Sequence, residues 1–137
     1  MNQYLLDTNV VSELRKTRPH GAVVAWLSDR QVESLFLSSV TIGELQAGVE
    51  RTRRQDAVKA SQIEVWVDQV AASYQILPMD TACFREWARL MDQKPDQLLT
   101  DGMIAATARV HHLIVVSRNE RDFKQLGVRI LNPFKTS

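Results

Sequence analysis

Short runs of consecutive apolar residues recur along this chain with helical periods between them, and this alternation restricts the fold more than any other feature. Tyr4-Leu5-Leu6, Leu35-Phe36-Leu37, Gln75-Ile76-Leu77, Leu113 to Val116 and Val128 to Leu131 read as strands. They are apolar on neighbouring rather than alternate positions, the pattern of strands buried on both faces. Val58, Ile63, Trp66, Val67, Val70 and Tyr74 recur at helical spacing, as do Cys83, Phe84, Trp87, Ala88 and Met91. Strands alternating with helices predict an α/β fold, with a parallel sheet of four to five strands covered by helices on both sides. Loop signals stand at Thr17-Arg18-Pro19-His20-Gly21 and Lys94-Pro95-Asp96, and neither reads as a domain boundary. The 137 residues are expected to form one domain, 1–137, large enough to bury a core without staples.

Charge excludes two classes of function. With 17 basic and 16 acidic residues and a net charge of +1, the chain is neither a basic DNA packager nor an acidic chaperone. Basic residues thicken at Arg51, Arg53, Arg54 and Lys59, and again at Arg118, Arg121 and Lys124, interleaved with Glu50, Asp56, Glu120 and Asp122. On charge alone these are solvated helix faces that permit a nucleic-acid partner without requiring one. The single cysteine, Cys83, closes no intrachain bridge and reads as a small core residue. No basic start precedes a long apolar stretch, and no apolar run is long enough for a bilayer, so a soluble cytoplasmic protein with no membrane role is expected.

In parallel sheets the ligand site lies beyond the carboxyl ends of the strands. Asp7 follows the first strand directly. Glu44 lies just inside the helix after the second, Asp101 opens a helix rich in small residues, and Asn119 and Asp122 follow the fourth strand. Each has a local explanation. Asp at a helix start caps free N–H groups, and Thr41 with Glu44, or Ser117 with Glu120, fits a capping box. Together they would crowd like charges at one sheet edge, raising one another's pKa unless a cation neutralised them. Hard oxygen donors without His or Cys pairs favour Mg²⁺ or Mn²⁺, and such sites act on phosphate esters. Gly43, Gly48, Gly102, Ala105 and Ala106 beside the acids suit close helix packing. The adjacent pair His111-His112 points in two directions on a helix and reads as a C-terminal cap rather than a chelate.

Leu5-Leu6-Asp7-Thr8-Asn9-Val10-Val11-Ser12-Glu13, Leu37-Ser38-Ser39-Val40-Thr41-Ile42-Gly43-Glu44-Leu45 and Asp101-Gly102-Met103-Ile104-Ala105-Ala106-Thr107-Ala108 resemble, in order, the three acidic motifs of PIN domains. The likeness is to toxins of the VapC type, especially their FitB-like subgroup. It continues through Ser117-Arg118-Asn119 to Leu131-Asn132-Pro133-Phe134. The resemblance implies a PIN-like α/β/α sandwich, Mg²⁺- or Mn²⁺-dependent endoribonuclease activity, and a homodimer. It also implies a cognate antitoxin whose C-terminal segment lies over the active site, the two together binding operator DNA. It casts Asp7 and Asp101 as principal metal ligands, Glu44 as the third acid, and Thr8 or Asn9 as supporting residues. Many members carry a fourth acid where this chain has the uncharged Asn119, which would assist, and the three-residue offset of Asp122 makes it the weaker substitute. Arg118, Arg51, Arg53 and Arg54 are the candidate contacts to RNA phosphates.

Two other readings compete. A PIN-like subunit without catalysis would dimerise and present an antitoxin to operator DNA, and Asn119 is the feature that favours it. A receiver-like domain with Asp7 as phosphoacceptor would need an early acidic pair and a late lysine, for which Lys124 and Lys135 are poorly placed. Trp26, Trp66 and Trp87 read as core or interface residues rather than platforms for bases.

Overall fold

The computed structural model describes residues 2–135. Five parallel strands, β1 (Tyr4–Leu6), β2 (Leu35–Ser38), β3 (Gln75–Leu77), β4 (Ile114–Val116) and β5 (Ile130–Leu131), form one sheet in the order β3-β2-β1-β4-β5. The first three strands build the sheet in one direction and the last two in the other, so the order reverses between β1 and β4. Seven α-helices connect them: α1 (Thr8–Glu13), α2 (Gly21–Ser28), α3 (Ser39–Arg53), α4 (Ala57–Ser73), α5 (Thr81–Met91), α6 (Leu99–His111) and α7 (Glu120–Lys124).

The expected strands are all present, with shifted ends. The second runs one residue further, to Ser38, while the fourth starts at Ile114 and the last contracts to Ile130–Leu131. Consecutive apolar positions serve two cores, as a strand covered on both faces requires. Tyr4, Leu6, Leu35, Leu37, Ile114 and Val116 point to one side, against Val10 and Val11 of α1, Val23 of α2 and Val70 of α4. Leu5 and Val115 point to the other, against Ile104, Ala105 and Ala108 of α6 and Phe123 of α7. This is the three-layer α/β/α arrangement.

Two of the expected helix faces are less buried than their periodicity implies. Val58 is 72% exposed and Phe84 46% exposed, while Cys83 beside it is fully buried. Trp87 faces the α5–α6 junction and donates Nε1–H to the Leu99 carbonyl at 3.0 Å. The small residues of α6 do serve packing: a Cβ at Gly102 would stand 2.5 Å from Met91 Sδ and 3.3 Å from Trp87 Cδ1. His112 caps α6 in the left-handed region at φ 57°, as the C-cap reading anticipates.

Candidate active site

Asp7 is the N-cap of α1 and sits at the reversal of the sheet, where parallel α/β proteins place their ligands. Its backbone N–H donates to the Val116 carbonyl at 2.9 Å, so the tips of β1 and β4 lie side by side. Leu6 pairs with Val116, which brings positions 7 and 117 next to each other. Ser117 Oγ donates to Asp7 Oδ2 at 2.7 Å and Asn9 Nδ2 donates to the same oxygen at 3.2 Å, while the Thr8 N–H donates to Oδ1 at 2.8 Å. Asp7 is 4% exposed. Burial is the largest influence on its carboxyl and pushes the pKa up, with Glu44 adding to the rise and the bonds from Ser117 and Thr8 opposing it.

Ser117 is the pivot of this network. It accepts from Asn9 Nδ2 at 3.2 Å and from the Asn119 N–H at 2.9 Å, and Asn9 Oδ1 in turn accepts from the Arg118 N–H at 3.2 Å. The capping box expected from Ser117 and Glu120 does not form, because the N-cap of α7 is Asn119 and Ser117 lies two residues before it; α7 begins without a side-chain cap. The box expected from Thr41 and Glu44 does not form either. Ser38 caps α3 through the Val40 N–H at 3.0 Å, which places Thr41 and Glu44 inside the helix. Thr8 Oγ1 donates to Glu44 Oε1 at 2.6 Å and stands 3.3 Å from Thr41 Oγ1. Sequence reasoning missed Ser117 and Thr41 as site residues. The register of β1 against β4 was the signal for the first.

Asp101 lies in the first turn of α6, whose N-cap is Leu98, so the helix opens earlier than the acid itself. A helix leading into a parallel strand starts at the carboxyl edge of the sheet, and Asp101 joins the other acids there. Burial, then the charges of Asp7, Asp122 and Glu44, raise its pKa from 3.8 to about 6. Asp122, carried on the short helix α7, is thus near enough for its charge to act on Asp101 as those of Asp7 and Glu44 do. Asn119 is exposed, and its N–H is directed at Ser117. The three-residue offset of Asp122 is about one turn of helix, and it leaves the residue near enough for its charge to act on Asp101.

The donor set suits a hard divalent cation. Among the described residues no three Asp, Glu, His or Cys side chains converge closely enough to grip one ion unaided. An ion taking one or two carboxylates and keeping its waters fits such a site, and it would relieve the repulsion that raises Asp101.

The basic candidates separate. Arg53 is engaged by Glu50 at 3.1 Å and Glu64 at 2.9 Å, the solvated ion-paired face that charge alone suggests. Arg54 lines a shallow hollow with Ala47, Glu50 and Arg53. Arg118 is stacked 3.8 Å from the centroid of the Phe134 ring, and its charge reaches Glu13. Arg51 lines a groove beside Glu44 together with Arg15, which the sequence did not single out.

The sequence matches the PIN domain over residues 4–128. It is 35% identical to the VapC ribonuclease Y4jK of Sinorhizobium fredii, over 96% of this chain and 97% of that protein. It is 33% identical to the toxin FitB of Neisseria gonorrhoeae, over 95% of this chain and 97% of that one. The crystal structure of FitAcB from Neisseria gonorrhoeae superposes with a TM-score of 0.86 at 31% identity, covering 98% of this chain and 100% of that one. A structure of FitAB bound to the IR36 DNA fragment gives 0.85 at 30% identity, over 98% of each chain. The likeness runs from β1 past the acids that gather where the sheet reverses, and it takes in relatives along nearly their whole lengths: the chain belongs to the PIN-domain family.

Proposed function

We propose that this protein is the toxin of a type II toxin–antitoxin pair, a divalent-metal-dependent endoribonuclease that hydrolyses RNA phosphodiester bonds. One observation carries the reading: Asp7, Glu44, Asp101 and Asp122 come from four separate segments to act on one another where the sheet reverses, and burial together with the charges of the other three raises Asp101 to about 6. Such an arrangement costs stability unless a cation is bound, which supports a site in addition to the capping that Asp7 performs.

Asp7 and Asp101 would hold the ion, Mg²⁺ or Mn²⁺, with Glu44 and Asp122 completing its surroundings. When bound, the ion supplies a nucleophile at neutral pH and offsets charge on the phosphate during displacement. The protein's part is alignment. Ser117, Asn9 and the Thr8 N–H fix the Asp7 carboxylate before any ligand arrives. The Thr8 hydroxyl occupies one oxygen of Glu44 and leaves Oε2 to accept a proton from an attacking water. Asp122 supplies the fourth negative charge that Asn119 lacks.

The toxin name of one relative and the FitAB complex on DNA support a cognate antitoxin and a DNA-bound assembly for this chain, and the ribonuclease name of another supports action on RNA. The protein would act as a homodimer in the cytoplasm. Among the described residues no helix is long and apolar enough to cross a membrane. Purified, antitoxin-free protein should cut total bacterial RNA into discrete fragments with Mg²⁺. Cleavage should vanish in EDTA and in the Asp101→Asn variant. Equal cleavage by the variant would overturn the nuclease assignment. Tight antitoxin binding without any metal-dependent cleavage would establish the non-catalytic subunit instead.

A further inference from the structure

The groove beside Glu44 lies outside the acid cluster but opens directly from it. It has a volume of about 490 Å³ and shares Thr8 and Glu44 with the cluster. Arg15, just beyond α1, and Arg51, in the last turn of α3, bring two guanidiniums to its rim; Trp66 and Ile63 of α4 form an apolar wall. Both arginines are exposed, and among the described residues neither forms an ion pair. Their neighbour Arg53, by contrast, is held by two glutamates. Gly48 keeps the floor open: a Cβ there would meet nothing closer than Arg51 Nη2 at 3.7 Å.

We infer that this groove is a subsite for the RNA strand flanking the scissile bond, with Arg15 and Arg51 receiving one backbone phosphate and Trp66 offering an edge to the adjoining base. The inference rests on the ribonuclease reading and extends it along the strand. A phosphodiester placed among four carboxylates is repelled by them, so a polyanion needs positive charge immediately outside the cluster to be held there. These two unpaired guanidiniums supply it on the Glu44 side. A planar fork on each arginine suits a phosphate, and an aromatic beside a basic groove is the usual arrangement for unpaired nucleotides.

The test separates binding from cleavage. Single-stranded RNA oligonucleotides are titrated against wild type, Arg15→Gln, Arg51→Gln and the double variant, in EDTA, by fluorescence anisotropy over a series of salt concentrations. Each single substitution should weaken binding severalfold and the double variant at least tenfold. The slope of log affinity against log salt should fall by about 0.7 for each phosphate that is no longer held. Trp66→Leu should weaken binding without changing that slope. Unchanged affinity and slope in the double variant would overturn the subsite. So would unchanged RNA binding accompanied by loss of affinity for an acidic peptide, which would give the groove to a protein partner. If the wild type binds RNA with the expected slope yet cuts none with Mg²⁺, the subsite stands and the nuclease reading falls.

Discussion

Asp101 is the residue at which the cost of the site can be measured. Its carboxyl titrates near 6 in the fold against an ordinary 3.8, so the folded state holds its proton more tightly than the unfolded chain does. The metal-free fold therefore has the full benefit of that proton below about pH 4 and loses it as the pH rises through 6. Asp101→Asn removes the loss. In EDTA near pH 7.5 the variant should be more stable than wild type by roughly 1–2 kcal/mol, the shift being discounted for partial exposure. The two should converge as the pH falls toward 4, and a divalent cation should raise the melting temperature of wild type far more than that of the variant. Identical melting at pH 7.5 would show that the carboxylate is not held against its neighbours. At this scale the sequence was legible where an acid ends a strand, as Asp7 does. It was less so for Asp122, whose approach to Asp101 depends on one turn of a five-residue helix, and for Ser117, whose hydroxyl is read more readily as a cap.

Among the elements, α5 and α6 are locked by an absence of side chain. Gly102 lies in the first full turn of α6 against Met91 and Trp87, and any Cβ must displace the thioether. Gly102→Ala should cost about 1 kcal/mol, at the low end for overpacking because a methionine can yield. In a double-mutant cycle with Met91→Ala, the pair should cost less than the sum of the single changes in chemical denaturation. Strict additivity would mean that crowding against Met91 is not the source of the loss. Helical periodicity identified α4 and α5 correctly as helices but overstated their buried faces. It records that apolar residues align, not what covers them, and Val58 and Phe84 remain open to solvent.

For the molecule as a whole, burial grades from the centre of the sheet outward. Every residue of β1 and β4 is buried, whereas β3 and β5 have none that is fully so. Amides of Leu5, Leu6, Val115 and Val116 should accordingly exchange hydrogen slowest, and those of Ile76 and Leu131 orders of magnitude sooner. Uniform exchange across the sheet would contradict this gradient. The layered fold was legible because doubly buried strands leave uninterrupted apolar runs. The groove was not, since Arg15 and Trp66 meet only after α1, α3 and α4 are packed. The bond from Ser117 to Asp7 spans 110 positions of sequence, and this bears on how the protein is made. A ribosome releases the first acid early and its hydroxyl partner only near the end. A chain halted or clipped before Ser117 carries Asp7, Glu44 and Asp101 but lacks the hydroxyl that ties Asp7 to the far end of the sequence, leaving only its local bonds to Thr8 and Asn9. The first acid is therefore fixed by its hydroxyl partner only once nearly the whole chain has been made.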